Sequence, residues 1–329
     1  MSEIHKFLFE GLPVRGVLVR LTDAWTEILR RHAAGHAAGA YPPPVQSMLG
    51  EMMAAATLMQ SNIKFNGSLI MQIFGDGPVK LAVAEVQPDF GLRATATIAG
   101  DVAADASLSM LVNVNNEGKC AITLDPQTKF PGQQAYQGVV PLFGDAREKL
   151  ESLSDVLQHY MLQSEQLDTT LVLAANDQVA AGLLIQRLPL AGVGNLAGSL
   201  VSQANEDEIG RNEHYKRIAI LASSLKREEL LTLDVETILR RLFWEESLVR
   251  FEPQAGEAAP HFSCTCSRER VSNMILGLGT EEAQDIVAER GEIEVGCEFC
   301  GAQYHFDPID VTWIFREAGD LPPASAAMQ

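Results

Sequence analysis

The sequence predicts an α+β protein: an N-terminal antiparallel sheet core packed with helices, a helical linker, and a small C-terminal domain. Three observations carry that expectation. Between residues 63 and 124, short apolar runs are joined by tight turns, as in consecutive antiparallel strands rather than strand–helix–strand units. Between residues 205 and 246, apolar residues recur at helical spacing among many charges. Near the C-terminus, four of the five cysteines fall in two tight pairs, Cys264-Thr265-Cys266 and Cys297-Glu298-Phe299-Cys300.

The elements follow in order. Residues 6–21 alternate (Phe7, Phe9, Val17, Val19, Leu21) and read as strands around the break Glu10-Gly11-Leu12-Pro13. Residues 22–31 are helical in spacing, with Trp25, Ile28 and Leu29 on one side. Small residues and prolines interrupt the chain over 33–44. Residues 45–61 form a helix whose apolar face carries Met48, Leu49, Met52, Met53, Ala56 and Met59. Such a face is either packed core or, because methionine adapts to irregular neighbours, a surface for a protein client.

Strands are expected at 69–74, 79–86, 92–98, 107–114 and 120–124, with turn signals at Asn66-Gly67 and Gly75-Asp76-Gly77-Pro78. The second turn lacks the Gly-Lys-Ser/Thr ending of a phosphate loop. Residues 145–163 return to helical spacing, and strands follow at 169–174 and 179–188. The glycine-rich stretch 189–198 reads as a linker. Helices are expected at 205–225 and 227–246, with Asp234 capping a second segment of the latter. Strands from residue 251 lead into the cysteines, and the tail from 321 has a disordered composition.

A chain of 329 residues accommodates two or three domains, and a hydrophobic share of 47% is ordinary for a folded soluble protein. A formal net charge of -18 disfavours nucleic acid and anionic membrane surfaces as partners. Residues 1–10 do not read as a signal peptide, and no apolar run approaches the ~18 residues of a membrane span. An odd cysteine count with two pairs at metal spacing suits a reducing cytoplasm better than a secreted disulfide framework.

Cys264, Cys266, Cys297 and Cys300 can converge on one tetrahedral Zn²⁺, which takes four thiolates readily. The last domain is therefore expected to bind zinc. Four thiolates on Zn²⁺ carry about -2 charges, which Arg268, Arg270 and Arg290 could offset. His261 and His305 are alternative ligands, but four thiolates already complete the shell. Cys120, alone in an expected strand, reads as an inert core thiol. Paired thiols can also serve as a redox switch, or as the catalytic pair of a thiol oxidoreductase. A zinc ribbon that binds partners is a third reading, which the acidic charge opposes when the partner is nucleic acid. No Ser/His/Asp set or carboxylate dyad stands out.

The motifs together resemble the heat shock protein 33 family of redox-regulated bacterial holdase chaperones. The residues that carry the resemblance are Tyr41-Pro42, Leu49-Gly50-Glu51-Met52, Lys64-Phe65, Gly75-Asp76-Gly77-Pro78, Tyr136-Gln137-Gly138-Val139-Val140 and Ser164-Glu165-Gln166-Leu167. Cys264-Thr265-Cys266-Ser267-Arg268-Glu269-Arg270, Gly291-Glu292-Ile293-Glu294 and Cys297-Glu298-Phe299-Cys300-Gly301 complete the set. The stretch 189–205 is longer and richer in glycine than the family's pattern, and the tail past 315 is its own.

The resemblance implies a client-binding and dimerisation core at 1–190, a metastable linker at 191–255, a zinc-binding redox switch at 256–316 and a disordered tail at 317–329. It implies no enzymatic activity, zinc on the four cysteines in the reduced state, and disulfides Cys264–Cys266 and Cys297–Cys300 after oxidation. Loss of zinc would then unfold the switch and linker and expose apolar surface to unfolding client proteins. The active form of the family is a homodimer.

Overall fold

One long apolar helix sits between two sheets, and every other element is arranged around it. The computed structural model describes residues 1–36, 39–128, 135–188 and 213–319. The first sheet is built from β1 (Glu3–Phe9), β2 (Val14–Leu21), β8 (Thr169–Ala175), β9 (Ala180–Arg187) and β10 (Leu248–Arg250), in the order β10-β1-β2-β9-β8. All its pairings are antiparallel. The second sheet holds β3 (Gly67–Phe74), β4 (Val79–Val86), β5 (Gly91–Ile98), β6 (Lys119–Pro126), β7 (Tyr136–Pro141) and β11 (His261–Phe262), in the order β11-β5-β4-β3-β6-β7. It is antiparallel except at its edge, where β11 runs parallel to β5. That short edge strand ties the segment just before Cys264 to the core.

The central helix is α2 (Pro43–Asn62), entered through two prolines at its first turn, where their missing N–H groups leave no helical bond unmade. It packs against strands of both sheets. Met48, Leu49, Met52, Met53 and Ala56 are buried, and Met59 packs against the same cluster. Buried apolar residues occur all round this helix, as an interior position demands. The methionine face is packed core in this structure. Helix α1 (Asp23–Gly35) closes one end, with the Trp25 indole N–H donating to the Asn176 carbonyl at 2.7 Å.

The outer face of the first sheet is covered by α5 (213–223), α6 (Arg227–Thr232) and α7 (Val235–Phe243). The Phe243 ring stands 5.0 Å from Phe9 edge-on and 6.1 Å from Phe7. Around it pack Leu18, Leu183, Ile185, Ile218, Ile238 and Leu242. Arg20 on β2 donates to the carbonyls of Leu230 and Leu233 at 3.0 and 2.7 Å, which satisfies the open end of α6. Asp234 caps α7 as expected, accepting from the Thr237 N–H at 2.8 Å.

The cysteine-bearing segment adds α8 (Arg268–Leu278), α9 (Thr280–Arg290), a hairpin of β12 (Ile293–Gly296) and β13 (Gln303–Phe306), and α10 (Pro308–Gly319). Its own core is small: Val271, Ile275, Ala283, Ile293, Phe306 and Val311.

Three sequence expectations need correction, and one strand was not expected. The segment 107–114 is not a strand but contains α3 (Leu108–Val112), because Ser107 caps it and Leu108, Leu111 and Val112 share a helical face turned to the core. Helix α4 (Leu153–Glu165) begins later than 145, at the Ser152 cap, whose hydroxyl accepts from the Asp155 N–H at 3.1 Å. Of the strands expected from 251 toward the cysteines, β11 forms at 261–262, while β10 lies earlier, at 248–250, pinned by its pairing with β1. Strand β7 has no sequence expectation at all: it is a half-exposed edge containing Gly138 and ending in Pro141. The expected linker at 189–198, the first residues of the helix expected at 205–225 and the tail from 321 lie outside the described residues.

Replacing Phe243 with alanine removes the ring that joins α7 to Phe7 and Phe9. Truncating a buried phenylalanine costs about 3–5 kcal/mol. The expected result in F243A is an earlier urea transition, with amide exchange accelerated first across 213–243.

Candidate metal centre

The four cysteines come from two backbone devices. Cys264 and Cys266 lie between β11 and the N-terminus of α8, where Ser267 caps the helix by accepting from the Arg270 N–H at 3.2 Å. Cys297 and Cys300 frame the turn between β12 and β13. There the Gly301 N–H donates to the Cys297 carbonyl at 2.8 Å, and the Cys297 N–H to the Ala302 carbonyl at 2.9 Å. Gly301 turns at φ +71°, in the left-handed region that glycine adopts freely. A Cβ there would lie 2.4 Å from Gly35 Cα, at the end of α1. The knuckle and the core therefore touch backbone to backbone.

All four sulfurs lie within 4.8 Å of one another. Cys264 Sγ is 3.7 Å from Cys297 Sγ, and Cys266 Sγ is 3.3 Å from Cys300 Sγ, so the contacts run between the two motifs. A tetrahedral ion with metal–sulfur bonds of about 2.3 Å holds its sulfurs about 3.8 Å apart. The donor set fits such an ion in number, chemistry and spacing. None of the four cysteines is in a disulfide.

The thiols are not equivalent. Burial works against ionisation of Cys266, but the Tyr304 hydroxyl, donating at 3.2 Å, and the neighbouring sulfurs bring it down to about 7. Burial pushes Cys264 and Cys300 up. Where four thiols crowd together, ionising one disfavours the next, and a cation resolves the conflict by taking the place of the protons. Cys120 stands apart in β6, fully buried, its thiol pushed up to about 12 by desolvation.

The alternative ligands do not join the cluster. His305 faces Glu292 at 3.2 Å, and the His261 ring is hydrogen-bonded to the Ala259 carbonyl at 3.2 Å. Of the three arginines, Arg270 donates to the Thr265 carbonyl at 3.0 Å and to its hydroxyl, so it sits against the first motif. Arg268 pairs with Asp310 at 2.7 Å and stacks on Phe306 instead. Arg290 lies at the exposed end of α9. Two residues carry no sequence signal of a role here: Tyr304, and Arg93 of the second sheet, whose guanidinium lies 4.4 Å over the Phe299 ring.

The family model described as Hsp33 protein matches residues 2–307. This chain belongs to the Hsp33 family. It is 43% identical over 314 residues to the 33 kDa chaperonin of Chromobacterium violaceum, covering 95% of this chain and 94% of that one. It is 38% identical over 322 residues to the 33 kDa chaperonin of Methylobacillus flagellatus, with 98% and 97% covered. The crystal structure of the Hsp33 homologue from Thermotoga maritima superposes with a TM-score of 0.70 at 19% identity, over 97% of this chain and 100% of that one. These relatives are named as chaperonins, so Hsp33 membership makes this a chaperone rather than an enzyme. No helix among the described residues is long and apolar enough to cross a membrane.

Two measurements test the site. In G301A the added methyl group meets backbone at 2.4 Å, so the knuckle must shift. Metal affinity, titrated against a chromophoric chelator, is expected to fall at least tenfold while the N-terminal sheets stay folded. His32, buried between Tyr41 and His36 at centroid distances of 3.6 and 4.2 Å, has an Nδ1 with no partner. Desolvation, then the charge of His36, holds its pKa near 4, below the ordinary 6.5. Its neutral form is favoured in the fold, so stability is complete above about pH 6.5 and declines as pH falls toward 4. H32F is expected to flatten that acid limb in thermal melts between pH 7 and 4.

Proposed function

We propose that this chain is a redox-regulated, ATP-independent holdase that binds unfolding proteins under oxidative stress in the cytoplasm. The observation that carries the reading is the convergence of four sulfurs from two separate motifs within 4.8 Å. In the reduced state Cys264, Cys266, Cys297 and Cys300 hold one Zn²⁺. Bound zinc supplies a four-way cross-link between the motifs, a role worth roughly 10–16 kcal/mol in small zinc peptides. The core of Val271, Ile275, Ala283, Ile293, Phe306 and Val311 is small enough to depend on that clamp.

Oxidation removes the clamp by consuming its ligands. Each thiolate pair would give up two electrons to form one S–S bond, hypochlorous acid would accept them with one proton from solvent, leaving chloride and water, and the divalent ion would leave with its ligands consumed. The pairs are Cys264–Cys266 and Cys297–Cys300. Bonds within each motif replace the contacts between motifs, so the two halves of the segment keep only their small core and the Arg268 contacts with Asp310 and Phe306. The domain at 256–316 loses its fold, and the linker at 191–255 loses a neighbour.

Uncovering follows from the packing. When α5 to α7 lift from the first sheet, Phe7, Phe9, Leu18, Leu183 and Ile185 lose their cover. Contiguous apolar surface of this kind captures unfolded chains. The active form is a homodimer, and reduction of the short disulfides resets the switch.

Metal content and client protection, read on the same reduced and hypochlorite-treated samples, test the proposal. One zinc per chain with no protection before oxidation, and no zinc with suppressed client aggregation after it, is the expected pattern. Protease cleavage within 191–255 rises in parallel, and disulfide mapping returns the two intra-motif pairs. Zinc retained without gain of protection would sink the holdase reading.

A further inference from the structure

Arg93 is a partly buried cation on the core sheet whose partners reach across 172 residues of sequence. It stands on β5 directly opposite Glu85 of β4. Its Nε and Nη2 donate to Glu85 Oε2 at 2.9 and 2.6 Å. Its Nη1 donates to Thr265 Oγ1, between Cys264 and Cys266, at 3.0 Å. The face of the same guanidinium covers Phe299, between Cys297 and Cys300, at 4.4 Å. One side chain of the core thus touches both cysteine motifs. Desolvation opposes its charge, but Glu85 and then the Cys264 sulfur outweigh that, so its pKa lies above the ordinary value.

A buried guanidinium is expensive unless its charge is answered. Glu85 answers part of it. The rest faces a cluster that carries about -2 charges when four thiolates hold a divalent ion, and none when the sulfurs are paired as disulfides.

We propose that Arg93 is a positioning residue of the metal centre: from the core sheet it offsets the thiolate cluster's charge, and so couples metal occupancy to docking of the cysteine segment. This rests on the zinc-thiolate reading above. In the metal-bound state Arg93 holds Thr265 and Phe299 against the sheet beside the β11–β5 pairing. After oxidation its electrostatic partner is gone, and the segment is freed from the core as well as from itself.

The experiment is zinc affinity of the reduced, full-length protein by chelator competition, on wild type first and then on R93Q, R93K and E85Q. Outer-shell partners of metal sites are worth about 10–100-fold in affinity. R93Q is expected to lose that much and R93K to recover part of it. E85Q breaks the same ion pair but frees the positive charge for the cluster, so its affinity stays level or tightens. In zinc-loaded R93Q, amide exchange at 261–263 rises. Equal losses in R93Q and E85Q would show an ion pair that only supports the sheet, and an unchanged R93Q would remove any role; either overturns the proposal. If R93Q does not fold, R93K and E85Q decide together: weaker binding in R93K with level or tighter binding in E85Q supports the proposal, and an unchanged R93K or a loss in E85Q overturns it. Failure of the wild type to bind zinc sinks the zinc reading itself and this proposal with it, whereas wild-type binding with either overturning result sinks this proposal alone.

Discussion

The convergence of four sulfurs is the constraint around which the C-terminal segment from β11 to α10 is arranged. Each motif is held locally, one by the Ser267 cap and the other by the Gly301 turn, but neither device joins motif to motif. The sulfur contacts at 3.7 and 3.3 Å do that. A core as small as that around Ile275 and Phe306 cannot offset the chain entropy of the segment by burial alone. In the proposed mechanism, reversible chemistry at sulfur acts on the part of the molecule least able to do without it.

The same constraint reaches the N-terminal core through a few narrow contacts. β11 adds two residues to the edge of β5, Gly35 meets Gly301, Arg31 stacks on Phe262, and Arg93 spans both motifs. None of these buries much apolar surface. The contrast lies with α2, whose buried residues join the two sheets into one core. The apolar cores are thus separate: that around α2 contains none of the four clustered cysteines, and that of the C-terminal segment is small.

How much of this was legible in the sequence depends on the range of the interaction. The cysteine cluster was legible because ligand identity and spacing are local, and the metal chemistry dictates both. The α+β layout was legible where alternation and turns agreed, as at 69–98. Local pattern failed where one short run fitted two periods: residues 107–114 were taken into α3 by the Ser107 cap and the core face of Leu108, Leu111 and Val112. Strand β7 went unmarked because an edge strand needs little burial and tolerates Gly138 and Pro141. Arg93 and Tyr304 were not legible as parts of the site, since an arginine in a strand acquires this meaning only when the fold brings it to Thr265 and Phe299.

The covering helices show why a switch of this kind can be both tight and releasable. α5 to α7 bury an apolar face against the first sheet, which is strong, yet their opposite faces are charged and solvated. Their polar anchors among the described residues include Arg20 on the carbonyls at the end of α6, Arg227 reaching Glu51, Ser47 and the Ala175 carbonyl, and the Tyr215 hydroxyl against Thr170 at 3.1 Å. A layer held mainly by one apolar face can separate at modest cost, because the polar groups that cross the interface come from a few side chains, Arg20, Arg227 and Tyr215 among them, which water can satisfy once it opens. What separation exposes is the apolar face itself, on both the helices and the sheet. In the proposed mechanism the surface that holds the resting state together is thus the surface offered on opening, and sulfur oxidation rather than a nucleotide supplies the energy.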